Sequence, residues 1–274
     1  MPPARSRFAA FTSGCVAPAQ FPRMAASTAP PNPPVRIGCA GWSIASRQAV
    51  LFGPGGSGLA RYATRLDVAE INSSFYRPHR PQTYERWAAQ VPHGFRFSVK
   101  LPKAITHEAR LQRAGAALDR FADEVAGLGR KLGGLLVQLP PSLAFDARTA
   151  NTFFAMLRRR FDVPVACEPR HPSWYTPAAD AMWARHAIAR VAADPPRPDA
   201  AAAPGGQGRW HYWRWHGSPR IYFSAYDDAR LQALAANLRE RARRGRPAWC
   251  IFDNTAHAHA VENALRLKAM LGLA

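Results

Sequence analysis

A chain of 274 residues with 47% hydrophobic content is long enough to bury one barrel-sized core, and its 8 tryptophans supply much of the bulk. No apolar run approaches the ~20 residues of a membrane-crossing helix, so a soluble protein with no membrane partner is expected. The net charge of +19 invites a nucleic-acid partner, but only four of the 37 basic residues are lysine, amid abundant alanine and proline. A coding-composition skew accounts for the arginines, and nucleic acid is the disfavoured partner.

Residues 1–34 carry three arginines, no Asp or Glu, and many Pro, Ala and Ser. Such a segment buries too little apolar surface to offset its ordering entropy. A disordered N-terminal extension over 1–34 ahead of a single domain over 35–274 is expected. The apolar patch at 8–11 is too short for a secretory signal. Cys39, Cys167 and Cys250 fall inside strand-like apolar runs and no Cys-x-x-Cys occurs. That usage points to a reducing, cytoplasmic setting and away from structural zinc.

From residue 35 the chain repeats one unit: apolar run, polar punctuation, amphipathic helix. The runs are 35–41, 68–72, 95–101, 134–139, 165–168, 189–194, 212–216 and 248–253. Each is too short for a helix and reads as a buried parallel strand. Between them, 83–90 and 118–131 have helical spacing, and Asp146, Thr176 with Pro177, Asp227 and Thr255 stand where helices begin. The unit after residue 194 lacks a helical period and is rich in Pro, Ala and Gly. A loop replaces its helix, and its low complexity favours a dispensable insertion over a lid. Eight strand–helix units in about 240 residues predict an α/β fold, a TIM-barrel-like (β/α)8 with one irregular unit. A doubly wound open sheet is the alternative, but no glycine-rich first turn follows the first run.

In such barrels, polar residues at the carboxyl ends of strands read as functional. The second strand offers Glu70 and Asn72, followed by Tyr76; the third Lys100; the fourth Gln138. The fifth offers Glu168, Arg170, His171 and Trp174; the sixth Asp194; the seventh Arg214 and His216; the eighth Asp253 and Asn254. The first ends at Gly41 and Trp42. Strand alternation sets Glu168 in step with Arg170, and Arg214 with His216, on the inner face. It turns Trp213 and Trp215 outward to the helices. Buried arginines need carboxylate partners, and Glu168 and Asp194 are the expected ones, leaving Glu70 and His216 freer.

The motifs Ile37-Gly38-Cys39-Ala40-Gly41-Trp42, Glu70-Ile71-Asn72-Ser73-Ser74-Phe75-Tyr76 and Ile105-Thr106-His107 stand in the first half. Lys131-Leu132-Gly133 leading to Gln138-Leu139-Pro140-Pro141, Glu168-x-Arg170-His171-x-Ser173-Trp174 and Arg214-x-His216-Gly217 follow. With these motifs the chain resembles the YecE-like family, domain of unknown function 72. The resemblance implies a TIM-barrel-like fold and no particular reaction. Where that family's eighth strand ends Phe-Asn-Asn-Asp, this chain reads Phe252-Asp253-Asn254-Thr255, which moves the acid by two positions. Ser74 replaces a threonine and keeps the hydroxyl.

The residues themselves leave the cofactor open. Glu70, Glu168, Asp253 and His216 are a conceivable metal set, as in sugar-isomerase or nuclease barrels, but Lys100, Arg170 and Arg214 crowd the same mouth with positive charge. That mixture suits an anionic or hydroxyl-rich small-molecule ligand better, with Glu70, Glu168 and His216 as candidate acid and base. Trp42, Asn72, Tyr76, Lys100, Gln138, Arg170, His171, Trp174, Asp194, Arg214, Asp253 and Asn254 are candidate binding residues. A phosphate site is expected at the last two loops, around Gly217, Arg220 and Thr255. A metabolite-binding protein without turnover needs the same pocket. If the positive charge is compositional, fluorescence anisotropy should show weak binding to random DNA that disappears at moderate salt. Tight, structure-selective binding would overturn that reading.

Overall fold

The computed structural model describes residues 35–207, 210–245 and 247–273. The expected extension over 1–34 lies outside them. The inner strands are β1 (Val35–Ala40), β2 (Val68–Ile71), β3 (Arg96–Lys100), β4 (Leu132–Gln138) and β5 (Val165–Glu168). They continue with β6 (Ile188–Arg190), β7 (Ala192–Asp194), β8 (Gly205–Gly206), β9 (His211–Trp215) and β10 (Ala248–Phe252). The order is β7-β9-β10-β1-β2-β3-β4-β5-β6-β8. All neighbours are parallel except β8, which runs antiparallel to β6.

The sixth strand is split at Val191, whose N–H donates to the Cys167 carbonyl at 2.8 Å. Its first half pairs with β5 and its second with β9, so the split strand carries the ring round. The barrel therefore has eight staves, as the eight apolar runs predict. The loop that follows has no α-helix among the described residues. It makes a short turn over Asp199–Ala202 and returns as β8.

The helices are α1 (Gly58–Tyr62), α2 (Pro81–Ala89), α3 (Gly115–Val125), α4 (Ala147–Arg160), α5 (Pro177–Arg185), α6 (Asp228–Arg243) and α7 (His259–Leu271). Asp146 and Asp227 cap α4 and α6, each accepting a backbone N–H at 2.8 Å. These bonds satisfy amides that have no partner within the helix. Helix α4 then buries Ala150, Phe153, Phe154 and Leu157, the i, i+3, i+4, i+7 face of an amphipathic helix. Burying each of its large side chains contributes roughly 1.5–3 kcal/mol. Thr255 does not cap the last helix. Ala258, in a left-handed conformation at φ 64°, precedes α7, and Thr255 sits in the turn before it.

Two apolar cores result from strand alternation. Ile37, Val99, Val137, Cys167, Trp213, Trp215 and Phe252 face the helices. Val68, Leu136, Ala166, Ala189, Trp210, Tyr212, Trp249 and Ile251 fill the barrel's lower interior. Glycines make room there. A Cβ on Gly134 would lie 2.9 Å from the Trp210 ring and one on Gly133 2.6 Å from Trp249. Above this plug the inward positions turn polar, which places the site. Gly38 shows how tightly the staves meet, since a Cβ there would lie 2.0 Å from the Val68 carbonyl oxygen. Gly38→Ala should therefore destabilise the fold by at least ~1–3 kcal/mol in urea unfolding, because backbone must move to admit it. An unchanged midpoint would refute this packing.

Candidate functional site at the barrel mouth

Inward positions of six of the eight staves build a charged layer over the apolar plug. Glu70, Ser98, Lys100, Gln138, Glu168, Arg214, His216 and Asp253 are all buried. Arg214 is the hub. Its Nε lies 3.1 Å from both Glu70 oxygens, and its Nη2 donates to Glu70 Oε1 at 2.8 Å. The same Nη2 is 2.9 Å from Asp253 Oδ2, and Nη1 is 3.3 Å from Glu168 Oε2. Tyr212 donates its hydroxyl to Glu70 Oε2 at 2.9 Å, and that hydroxyl is 3.0 Å from Ser98 Oγ. A planar fork with five N–H donors suits three carboxylates arranged around it.

His216 is held at both ring nitrogens. Nδ1 lies 3.0 Å from Asp253 Oδ2 and Nε2 3.0 Å from Glu168 Oε1. Only the imidazolium can donate to both. Burial alone would lower the His216 pKa, but Glu168 and Asp253 outweigh it and raise it above 6.5. Burial alone would raise Glu168, yet His216, Arg170 and Arg214 hold its carboxyl well below the usual range. Asp253 is likewise pushed up by burial and brought down further by Arg214 and His216. Arg170 donates Nε and Nη2 to Glu168 Oε1 at 3.2 and 3.0 Å, and Gln138 Nε2 stands 3.4 Å from the same oxygen.

Lys100 takes a different position. Its Nζ lies 4.0 Å from the Phe75 ring centroid, and burial, with Arg214 adding, lowers its pKa to about 8. His107, on a π-helical turn over Ala104–Glu108, meets the same ring with centroids 4.9 Å apart. Burial, then Lys100 and Arg170, lowers its pKa to about 4. Ser74 ties this corner down through its hydroxyl, which donates to a backbone carbonyl, Lys100's at 2.6 Å and Ile71's at 2.9 Å both lying in reach.

Beside the charged layer opens a cavity of about 240 Å³ walled by Arg170, Arg197, Pro195, Ile221 and Tyr222, with Glu168 and His216 also lining it. Pro195 and Arg197 belong to the loop after the sixth strand, so the start of that loop forms part of the mouth. A larger cavity of about 550 Å³ lies at the opposite end, near Phe161 and Trp210. There Arg158 is spent on the carbonyls of His186, Val163 and Ala187, as expected of the structural end of a barrel.

Several expected site residues lie elsewhere. Asp194 does not join the arginines of the interior. It is in register with outward Trp215, and its oxygens accept from the Tyr226 hydroxyl and Arg230 Nη2, each at 2.9 Å. Trp174 is 1% exposed, donates to the Leu143 carbonyl at 2.7 Å and stacks on Trp183, so it offers a ligand no face. His171 caps the turn Pro172–Trp174 by accepting the Ser173 N–H at 3.2 Å. Trp42 packs edge-on against Trp87, and Tyr76 is 74% exposed on Phe75. Asn72 heads the turn Ser73–Phe75, with an Oδ1 that is shielded and unpartnered among the described residues.

Nor do the last two loops form the expected phosphate site. Asn254 donates Nδ2 to the Ser224 carbonyl and to Asn263 Oδ1. The Gly217 N–H is taken by the Tyr226 hydroxyl at 2.8 Å, and Arg220 lies on Phe223. Arg197, Tyr222 and His107 are the residues that strand-end reading misses, because Arg197 and Tyr222 stand on loops and His107 on a π-helical turn beyond the third strand. His107 alone left a trace, as part of the Ile105-Thr106-His107 motif. The carboxylates and imidazole of a conceivable metal set are engaged by Arg214, and no group of three or more His, Cys, Asp or Glu among the described residues is placed to hold an ion.

The fold and this charged layer define an α/β barrel with a preformed polar mouth. The family model "Protein of unknown function DUF72" matches residues 36–274, and the chain belongs to that family. It is 29% identical to the UPF0759 protein YecE of Escherichia coli (strain K12) over 120 residues, 43% of this chain and 43% of YecE. It is also 29% identical to the UPF0759 protein YunF of Bacillus subtilis (strain 168) over 129 residues, 43% of this chain and 44% of YunF. The matched stretch thus spans less than half the length of these curated relatives. A DUF72 family protein from Enterococcus faecalis superposes with TM-score 0.73 at 23% identity, covering 88% of this chain and 96% of that one. One from Thermotoga maritima does so with TM-score 0.72 at 23% identity, covering 87% and 99%.

The linkage of this network to pH follows from its signs. His216 has a raised pKa in the fold, so its contribution is complete below 6.5 and is lost as pH rises through its folded value. Urea unfolding from pH 6 upward should show the advantage of the native protein over His216→Gln shrinking as pH rises. Arg214→Ala should cost ~3–5 kcal/mol at neutral pH, because it strands buried carboxylates. A pH-independent His216→Gln difference would contradict the doubly held imidazolium.

Proposed function

We propose that this barrel is an enzyme that binds an anionic or hydroxyl-rich small molecule, phosphorylated or sugar-like, at its carboxyl-terminal mouth and acts on it by acid/base chemistry. The observation that carries this reading is the cavity of about 240 Å³ in which Arg170 and Arg197 meet the Glu168–His216 pair. Its volume suits a small metabolite. Arg170 keeps 29% of its side chain exposed while anchored on Glu168, so part of its fork remains for a carboxylate or phosphate. Glu168 and His216, 3.0 Å apart, form a proton-exchanging pair at the cavity. Glu70 lies deeper with its oxygens filled by Arg214 and Tyr212, so its role is to fix the hub rather than to move protons. Three buried free thiols support a reducing compartment such as the cytoplasm.

Calorimetry against sugar phosphates, hydroxy acids and matched neutral sugars, followed by turnover assays on the same compounds, tests this. At least one anionic compound should bind, with affinity reduced roughly 10–100-fold in Arg170→Gln, the loss of a charge-assisted hydrogen bond. Glu168→Gln should remove turnover. Equal affinity for neutral sugars, or no effect of Arg170→Gln, would overturn the anion site, and binding without turnover of any compound would overturn the enzymatic half.

A further inference from the structure

Lys100 is the one lysine whose amine is both buried and uncommitted. It is 4% exposed, and among the described residues its Nζ has no hydrogen bond or ion pair, only the Phe75 ring 4.0 Å away. The chain's other three lysines are occupied. Lys103 is 3.4 Å from Glu108, Lys131 donates to the carbonyls of Val91 and Pro92, and Lys268 donates to the Arg65 carbonyl at 2.7 Å. The carboxylates nearest in charge to Lys100 are Glu70, Glu168 and Asp253, and each is engaged by Arg214. They stabilise the region without pinning the amine.

A nitrogen nucleophile needs a free lone pair and a proton carrier beside it. Burial and Arg214 lower Lys100 to about 8, so a useful fraction is neutral amine near physiological pH. His107 packs on the same Phe75 ring as that amine, with centroids 4.9 Å apart, and the charge of Lys100 acts on it. Its Nδ1 is 2.9 Å from Thr106 Oγ1, which leaves Nε2 for exchange, and with a pKa of about 4 its ring is neutral. Arg170, anchored by Glu168, acts with Lys100 on the charge of the same His107 ring.

We propose that Lys100 is a nucleophile that forms an imine with a small aldehyde or ketone bearing an anionic group, with Arg170 holding the anion. The anionic half of this inference rests on the function proposed above, and the amine half does not. The neutral Nζ attacks the carbonyl carbon, a C–N bond forms, and the carbonyl π electrons move to oxygen. A proton passes from nitrogen to that oxygen through His107, giving a carbinolamine. The C–O bond then breaks, a further proton leaves with the hydroxyl as water, and the nitrogen lone pair closes the C=N bond of an iminium. One amine, one carbonyl and one proton give one iminium and one water.

Reductive trapping reads this directly. The full chain is incubated with glyoxylate, glyceraldehyde 3-phosphate or uncharged propanal, each with sodium cyanoborohydride, and the adducts are located by peptide mass mapping. Lys100 should be labelled faster than each of the other three lysines by roughly tenfold, the rate factor of one pKa unit, and fastest with the two anionic aldehydes. Arg170→Gln should keep the propanal adduct on Lys100 and lose the preference for anions. Lys100→Arg, which keeps the charge, should lose the adduct with its circular dichroism spectrum unchanged. Labelling spread evenly over the four lysines, or confined to Lys103, overturns the proposal, and these maps come from the native chain whether or not the variants fold. Propanal labelling Lys100 as fast as the anions would uphold the amine and sink the anion site. Calorimetric anion binding with Lys100 unlabelled would do the reverse.

Discussion

A guanidinium with no exposure to water sits at the centre of this barrel, and the rest of the mouth is arranged so that it can be there. Isolated in a low-dielectric interior, Arg214 would be very costly. Glu70 takes it from one side, Asp253 and Glu168 from the others; Tyr212 donates to Glu70, and Ser98 meets the Tyr212 hydroxyl in turn. The same carboxylates then have capacity for His216 and Arg170. Each charge is stabilised by partners from different strands, so the network exists only when the barrel is closed. It ties the second, fifth, seventh and eighth staves together at one level.

That level divides the interior in two. Below it, indoles and aliphatic chains meet over glycine-relieved backbone. Above it, burial shifts the protonation of Lys100 and His107, so both lose their positive charge more easily than they would in water. A locked salt-bridge floor beside the Lys100 amine and the His107 ring is a pre-organised electrostatic environment, with dipoles and charges fixed in place.

The strands and the inner face were legible in the sequence because period-two alternation is a hard geometric rule. Glu168 with Arg170, Arg214 with His216, and outward Trp213 and Trp215 all follow from it. Asp194 shows the same rule neglected: counted from inward Ala189, its side chain falls on the outer face, where Arg230 of the sixth helix waits. Trp174 and His171 were misplaced because chemistry-bearing types next to a strand end also serve turns and cores. Here one fills space against Trp183 and the other caps a turn. Arg197 and Tyr222 were illegible as site residues since loop paths have no periodicity from which to infer direction, and His107 since a single π-helical turn has too little. Asp253, two residues beyond inward Ile251, keeps its side chain on the inner face and so reaches Arg214 at 2.9 Å.

His216, a buried imidazolium held at both nitrogens by Glu168 and Asp253, is the member of Arg214's carboxylate cage whose charge can be titrated. Side-chain ¹⁵N NMR of the histidines, with His216 assigned by its loss in His216→Gln, measures this directly. Both His216 ring nitrogens should remain protonated at the ordinary midpoint of about 6.5, with the titration displaced to higher pH. A neutral tautomer at that pH, or a midpoint at or below the ordinary value, would contradict it.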